Sequence, residues 1–116
     1  DSDNLLTGNK VRYNGFSGVY FRQNELQVGG HRNVFRNNEI TDNGSARKGY
    51  GIYVEATNVD EVFENNLIAE TRSGAERTQQ YGVYIKKGDS SVRLSGNTIN
   101  GHLKADIQDE NGVALK

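Results

Sequence analysis

Three short segments of the chain repeat one alternation of apolar and polar positions. Gly18-Val19-Tyr20-Phe21, Gly51-Ile52-Tyr53-Val54 and Gly82-Val83-Tyr84-Ile85 begin 33 and then 31 residues apart. The period of two predicts a half-buried strand in each, with Val19 and Phe21 flanking an outward Tyr20 in the first. A second motif follows each of them: Phe35-Arg36-Asn37-Asn38-Glu39-Ile40, Phe63-Glu64-Asn65-Asn66-Leu67-Ile68 and Leu94-Ser95-Gly96-Asn97-Thr98-Ile99. An incomplete earlier copy, Leu6-Thr7-Gly8-Asn9-Lys10-Val11, precedes them all. Turns such as Asp42-Asn43-Gly44 and Arg72-Ser73-Gly74 interrupt the chain and leave no ten-residue stretch of helical periodicity. A repeat of near-constant length with variable loops predicts an all-β solenoid, here of about four partial or complete coils stacked about 4.8 Å apart.

Stacking turns the repeats into columns whose chemistry tests the alignment. Leu6, Phe35, Phe63 and Leu94 form one apolar column, and Val11, Ile40, Ile68 and Ile99 another; both belong inside. Asn9, Asn38, Asn66 and Asn97 recur at intervals of 29, 28 and 31 residues and predict a ladder of side-chain amides at a buried bend. On the outside, Arg22, Glu55 and Lys86 alternate in sign between rungs, and Arg36 stands beside Glu64.

Composition fits one folded domain over residues 1–116. The apolar fraction is 34%, and the 14 glycines bring the total into the usual globular range. Fourteen basic residues against 15 acidic ones leave a net charge of −1, so no overall field favours nucleic acid or an anionic membrane, and any charged ligand must be held locally. No apolar run approaches the roughly 20 residues of a membrane span, and Asp1-Ser2-Asp3-Asn4 has no signal-peptide pattern. Zero cysteines exclude a disulfide framework and a thiolate zinc site.

The Gly-Ile-Tyr-Val and Asn-Asn-x-Ile signatures, with their apolar columns and Asn ladder, resemble the right-handed parallel β-helix repeats of the pectin-lyase-like superfamily, over most of Leu6 to Ile107. The resemblance implies three short strands per coil and an extracellular or periplasmic protein that binds or processes polysaccharide. Members usually have more coils than four, so the chain reads as a segment of a longer helix or as a small member that caps itself or oligomerises. The family's catalytic motifs carry over poorly. There is no Asp-Pro-His-Glu, and the absence of proline removes Arg-x-Pro-x-x-Arg. Gly29-Gly30-His31 and Tyr84-Ile85-Lys86 match galacturonase fragments only incompletely.

The outward column Tyr20, Tyr53, Tyr84 is the most suggestive surface, because aromatic faces bury sugar C–H groups while hydroxyls hydrogen-bond nearby. The same column also reads as a plain sheet-stabilising ladder. Elimination on a uronate needs a base and a cation at the carboxylate, roles open to Tyr53 or Tyr84 with Arg22, Lys86 or Lys87. The inserts Ser45 to Lys48 and Ala75 to Gln80 occupy the same place in successive coils and should project side by side. Arg47, Lys48, Arg72 and Arg77 make that edge locally basic and suited to an acidic polysaccharide.

His102, three residues after Ile99, is equivalent to Asn14, Asn43 and Thr71 and reads as a polar turn residue, while His31 sits at a turn after Gly29-Gly30. Two isolated histidines do not make a zinc site. No cofactor is expected. Calcium stays open, since Asp60, Glu61, Glu64, Asp89, Asp106 and Asp109 offer hard oxygens without an EF-hand pattern. Near the end, Lys104 to Gln108 reads as a degenerate strand with Ala105 and Ile107 inward and Asp106 beneath the tyrosine column. Asp109 to Gly112 then makes a turn, and Val113 to Lys116 can fold over the last coil. An uncovered amino-terminal face would expose Leu6 and Val11 and invite end-to-end association. Three functional readings follow: a module binding acidic glycan, a fragment of a uronan lyase or C5-epimerase, and a structural segment of a surface or phage fibre protein.

Overall fold

A computed structural model of the chain describes residues 2–22, 31–45, 48–55, 57–88 and 90–112. Twelve strands run in chain order, three to a coil. The first coil holds β1 (Leu5–Thr7), β2 (Lys10–Arg12) and β3 (Ser17–Phe21), and the second β4 (Val34–Arg36), β5 (Glu39–Thr41) and β6 (Tyr50–Val54). The third holds β7 (Glu61–Glu64), β8 (Leu67–Ala69) and β9 (Tyr81–Ile85), and the fourth β10 (Val92–Ser95), β11 (Thr98–Asn100) and β12 (Ala105–Asp109). Each coil gives one strand to each of three four-stranded parallel sheets, β1-β4-β7-β10, β2-β5-β8-β11 and β3-β6-β9-β12. The only helical element among the described residues is one 3-10 turn, Gly74–Glu76.

The predicted columns are the observed register. Leu6, Phe35, Phe63 and Leu94 pair in turn across the first sheet, and Val11, Ile40, Ile68 and Ile99 across the second. Phe35 and Phe63 stack at 4.8 Å with Phe21 edge-on to both, filling the interior that Ile40, Ile52, Val54, Ile68 and Val83 close off from solvent. The last strand departs from expectation. Gln108, not Asp106, pairs with Tyr84, while Ile107 pairs with Val83 and packs on the core. A slip of two residues keeps every side chain on its own face, so alternation alone could not tell the two registers apart.

The bends between sheets share one device. A residue in the left-handed region, such as Gly8, Asn37, Asn65 or Gly96, immediately precedes each Asn of the predicted ladder. That turn aims the next side chain inward along the stack. Asn9, Asn38 and Asn66 each donate their main-chain N–H and their Nδ2 to Oδ1 of the following rung, at 2.9–3.1 Å. Buried backbone at the bend is thereby satisfied without a continuous strand.

Two further ladders stand at the other corners. Asn14 donates to Asn43 Oδ1, Asn43 donates to Gln79 Oε1, and Gln79 Nε2 meets His102 Nε2 at 2.7 Å. Thr71 is therefore not the third rung. The chain leaves the coil after Glu70, Thr71 instead donates to Asp42, and Gln79 fills the rung where the insert returns. The third ladder runs from Asn4 to Asn33 and ends on Glu61, whose Oε1 accepts from Asn33 Nδ2 at 3.3 Å.

The repeated glycines have a steric cause. A Cβ on Gly18, Gly51 or Gly82 would lie 2.7, 2.8 or 2.6 Å from Cγ2 of Ile40, Ile68 or Ile99, and close to the second-ladder side chains Asn43, Gln79 or His102. No side chain fits between that corner and the next coil.

Candidate functional site

The third sheet carries a continuous aromatic face. Tyr20, Tyr53 and Tyr84 pair in register, with ring centroids 5.4 and 5.7 Å apart. Tyr50 and Tyr81 join them: Tyr50 lies 4.5 Å from Tyr53, Tyr81 lies 4.9 Å from Tyr84, and the two stack on each other at 5.7 Å. Phe16 closes one end with edge contacts to Tyr20, Tyr50 and Tyr53. Alternation alone could not place Tyr50 and Tyr81, because each precedes a glycine at a corner, and the steric demand at that glycine was not visible in sequence. The face is consequently thicker than a single row. Tyr53, expected outward, is only 9% exposed beneath its neighbours, whereas Tyr20 is 45% exposed and Tyr84 is half-buried.

The phenols are held in their neutral form. Burial pushes Tyr53 up to about 12, with Glu55 adding to it. Tyr84 is raised mainly by its hydrogen bond to Glu110 Oε2 and further by burial. Burial also raises Tyr20, assisted by Glu55, and Tyr50, assisted by Tyr81. At neutral pH these groups are hydrogen-bond donors on an apolar bed, which suits contact with a ligand better than proton abstraction.

Cations border the face at both ends of its strands. Arg22 and Lys86 follow β3 and β9 directly, Lys87 is exposed beside Lys86, and Lys104 lies 5.9 Å from the centroid of the Tyr81 ring. Glu110 also accepts from the Lys87 main-chain N–H at 3.0 Å, which ties the loop after β9 to the fourth coil.

The two inserts do lie side by side, since Thr78 Oγ1 donates to the Asn43 carbonyl and Gln80 N to the Gly49 carbonyl. Their basic character is reduced, however. Buried Glu70 receives Arg72 N, Nε and Nη2 and the N–H groups of Thr78 and Gln79, at 2.7–3.2 Å. Burial alone would raise its carboxyl, but the Arg72 guanidinium and the Gln79 and Thr78 N–H groups outweigh it and hold it at about 2. Arg72, also 3.7 Å from Asp42, thus serves as a brace for the loop rather than a free cation. Lys48 is exposed, Arg77 is half-buried with its Nε buried and unpaired, and Arg47 lies outside the described residues.

The histidines are structural. His31 Nδ1 accepts from Val59 N at 3.2 Å, and His102 is the last rung of the second ladder, with Nδ1 2.8 Å from Asp106 Oδ1. The acidic residues do not converge: Glu64 pairs with Arg36, Asp60 accepts from Ser91, Asp109 holds the Asn111 turn, and Glu61 is fully buried instead of being a surface ligand. Asp89 lies outside the described residues. Among the described residues, no group of three or more His, Asp or Glu side chains is arranged to hold a metal ion.

A family model described as the right handed beta helix region matches residues 1–115. The chain belongs to the right-handed β-helix family. No curated protein and no solved structure matches it significantly. The β-helix family membership, the three parallel sheets and the internal ladders agree on the architecture, while the reaction or ligand has to be argued from the faces of this particular β-helix.

Proposed function

We propose that this β-helix is a glycan-binding module that receives an acidic polysaccharide along the aromatic face of its third sheet. The observation that carries the proposal is the continuous bed of Phe16, Tyr20, Tyr50, Tyr53, Tyr81 and Tyr84, bordered at both strand ends by Arg22, Lys86, Lys87 and Lys104. Apolar ring faces cover sugar C–H surface, neutral phenols donate to sugar oxygens, and the border cations pair with carboxylates or sulfates. The neutral phenols favour binding over elimination, which needs a base at the same place. The braced insert edge, with Lys48 and Arg77, is a shorter second contact for the same polymer.

The test is binding of polygalacturonate, alginate and a sulfated glycosaminoglycan to the wild type and to Tyr20→Ala, Tyr84→Ala and Lys86→Ala. These side chains are partly or fully exposed, so their loss leaves the core in place. At least one polymer should bind, each tyrosine variant should bind about fivefold more weakly, and the Lys86 effect should fade with added salt. Failure to bind any of the three, or binding indifferent to both tyrosines, would overturn the assignment. Release of unsaturated uronate, read by its ultraviolet absorbance, would make the protein a lyase instead.

A further inference from the structure

We propose that the outer edge of the first coil is a docking edge for a second copy of this chain, whose fourth coil packs against it head to tail. That edge is apolar and open. Leu5 is 58% and Leu6 38% exposed, and the opening leads into a cavity of about 280 Å³ lined by Leu6, Val11, Val19, Tyr20, Phe35 and Ile40. Exposed strand edges above an unfilled core are a standing invitation to another β-layer.

The direction of the ladders identifies the occupant. Every rung donates its N–H to an oxygen of the next rung, from Asn9 towards Asn97 and from Asn14 towards Gln79. Asn9 Oδ1 and Asn14 Oδ1 therefore accept nothing among the described residues, while the N–H groups of Asn97 and His102, at the opposite end, have no acceptor there. One end of the stack offers the acceptors that the other end lacks. The side-chain columns agree: continuing the register places Leu94 against Leu6, Ile99 against Val11 and Ile107 against Val19 of the second copy, with the uncharged Thr98 and Asn100 against Lys10 and Arg12. A head-to-head pair would instead oppose acceptor to acceptor at Asn9 and Asn14. Asp109, at the Phe21 position, is turned into a hydrogen bond with Asn111 and so does not enter the core column. The contact is heterologous and does not close on itself, so it adds copies progressively.

The chain has no cysteine, which permits a directional test. Thr7 and Ser95 are exposed and occupy the same column, at opposite ends of the stack. Neighbouring strands lie about 4.8 Å apart, within reach of a disulfide. Mixing Thr7→Cys with Ser95→Cys protein under mild oxidation should give cross-linked heterodimer in large excess over either homodimer. Sedimentation of the wild type should show mass rising with concentration, and Leu6→Lys should suppress the rise. Predominant Thr7→Cys homodimer would overturn the direction, and a wild-type monomer across micromolar to millimolar concentrations would overturn the association itself.

Discussion

Gln79 Nε2 lies 2.7 Å from His102 Nε2, and the Gln79 amide cannot be turned round, because its Oε1 already accepts from Asn43 N and Nδ2. The amide therefore donates, His102 Nε2 accepts, and the ring proton sits on Nδ1, where it faces Asp106. A doubly protonated ring has no acceptor left for Gln79. Burial lowers the His102 pKa from 6.5, although Asp106 pulls the other way. Because the folded value is the lower one, the contribution of the neutral ring is complete above the unfolded value and is lost as pH falls through the folded one. The urea midpoint of the wild type should thus decline below about pH 6.5 more steeply than that of His102→Gln, which restores an amide rung. Parallel pH profiles for the two proteins would refute the rung assignment.

Glu61 stands at a rung position, directly after the left-handed residue Asp60, as Asn33 follows Arg32. An amide rung supplies one acceptor and one donor. Glu61 supplies the acceptor through Oε1, while Oε2 is buried with no hydrogen-bond partner. Burial raises its pKa, with Asp60 reinforcing and the Asn33 donors opposing. The folded value lies above the unfolded one, so the wild type loses stability as pH rises from about 4.5 through the raised value. Glu61→Gln should then be more stable than wild type at pH 8, by about 1–3 kcal/mol, with the advantage shrinking towards pH 4. A constant difference at both pH values would mean that the carboxyl carries no proton penalty.

Gly51 faces Gly82 O at 2.7 Å and Ile68 Cγ2 at 2.8 Å from the position a Cβ would take, whereas Gly15 faces nothing within 4 Å. Gly51→Ala should lower the thermal midpoint, at a cost of about 1–3 kcal/mol, because a carbonyl of the next coil cannot move without breaking the sheet. Gly15→Ala should be close to neutral. Equal midpoints for the two variants would remove the steric account of the repeated glycine.

The legible part of the molecule was the part with a fixed interval. Asn9, Asn38, Asn66 and Asn97 announce their ladder because the chain between them never inserts within the motif, and the apolar columns inherit that register. The second ladder was hidden for the opposite reason. Its rungs are Asn14, Asn43, Gln79 and His102, and the loop between Glu70 and Gln79 displaces the third by several residues from the position that counting assigns to Thr71. Of the candidate face, the Tyr20 row followed from alternation, but Tyr50, Tyr81 and Phe16 did not, since their direction depends on corners where strand periodicity stops. Glu110 entered through the register of β12, which a two-residue slip leaves undetermined in sequence.

The central ladder can be weighed at Asn66. Its N–H and Nδ2 donate to Asn97 Oδ1, Nδ2 also reaches Phe35 O at 3.0 Å, and its own Oδ1 accepts from Asn38 N and Nδ2. Leucine would remove the side-chain partner of Asn38 and leave the Phe35 carbonyl and the Asn97 amide with orphaned groups in the interior. The expected cost is about 1–3 kcal/mol, since each buried group left unpaired retains its desolvation penalty. Asn9→Leu, at the open end, orphans only Asn38 Oδ1 among the rungs and leaves the Asn9 N–H bond to it in place, so it should cost less. Urea midpoints that rank the two variants the other way would mean that the ladder is not what holds the coils in register.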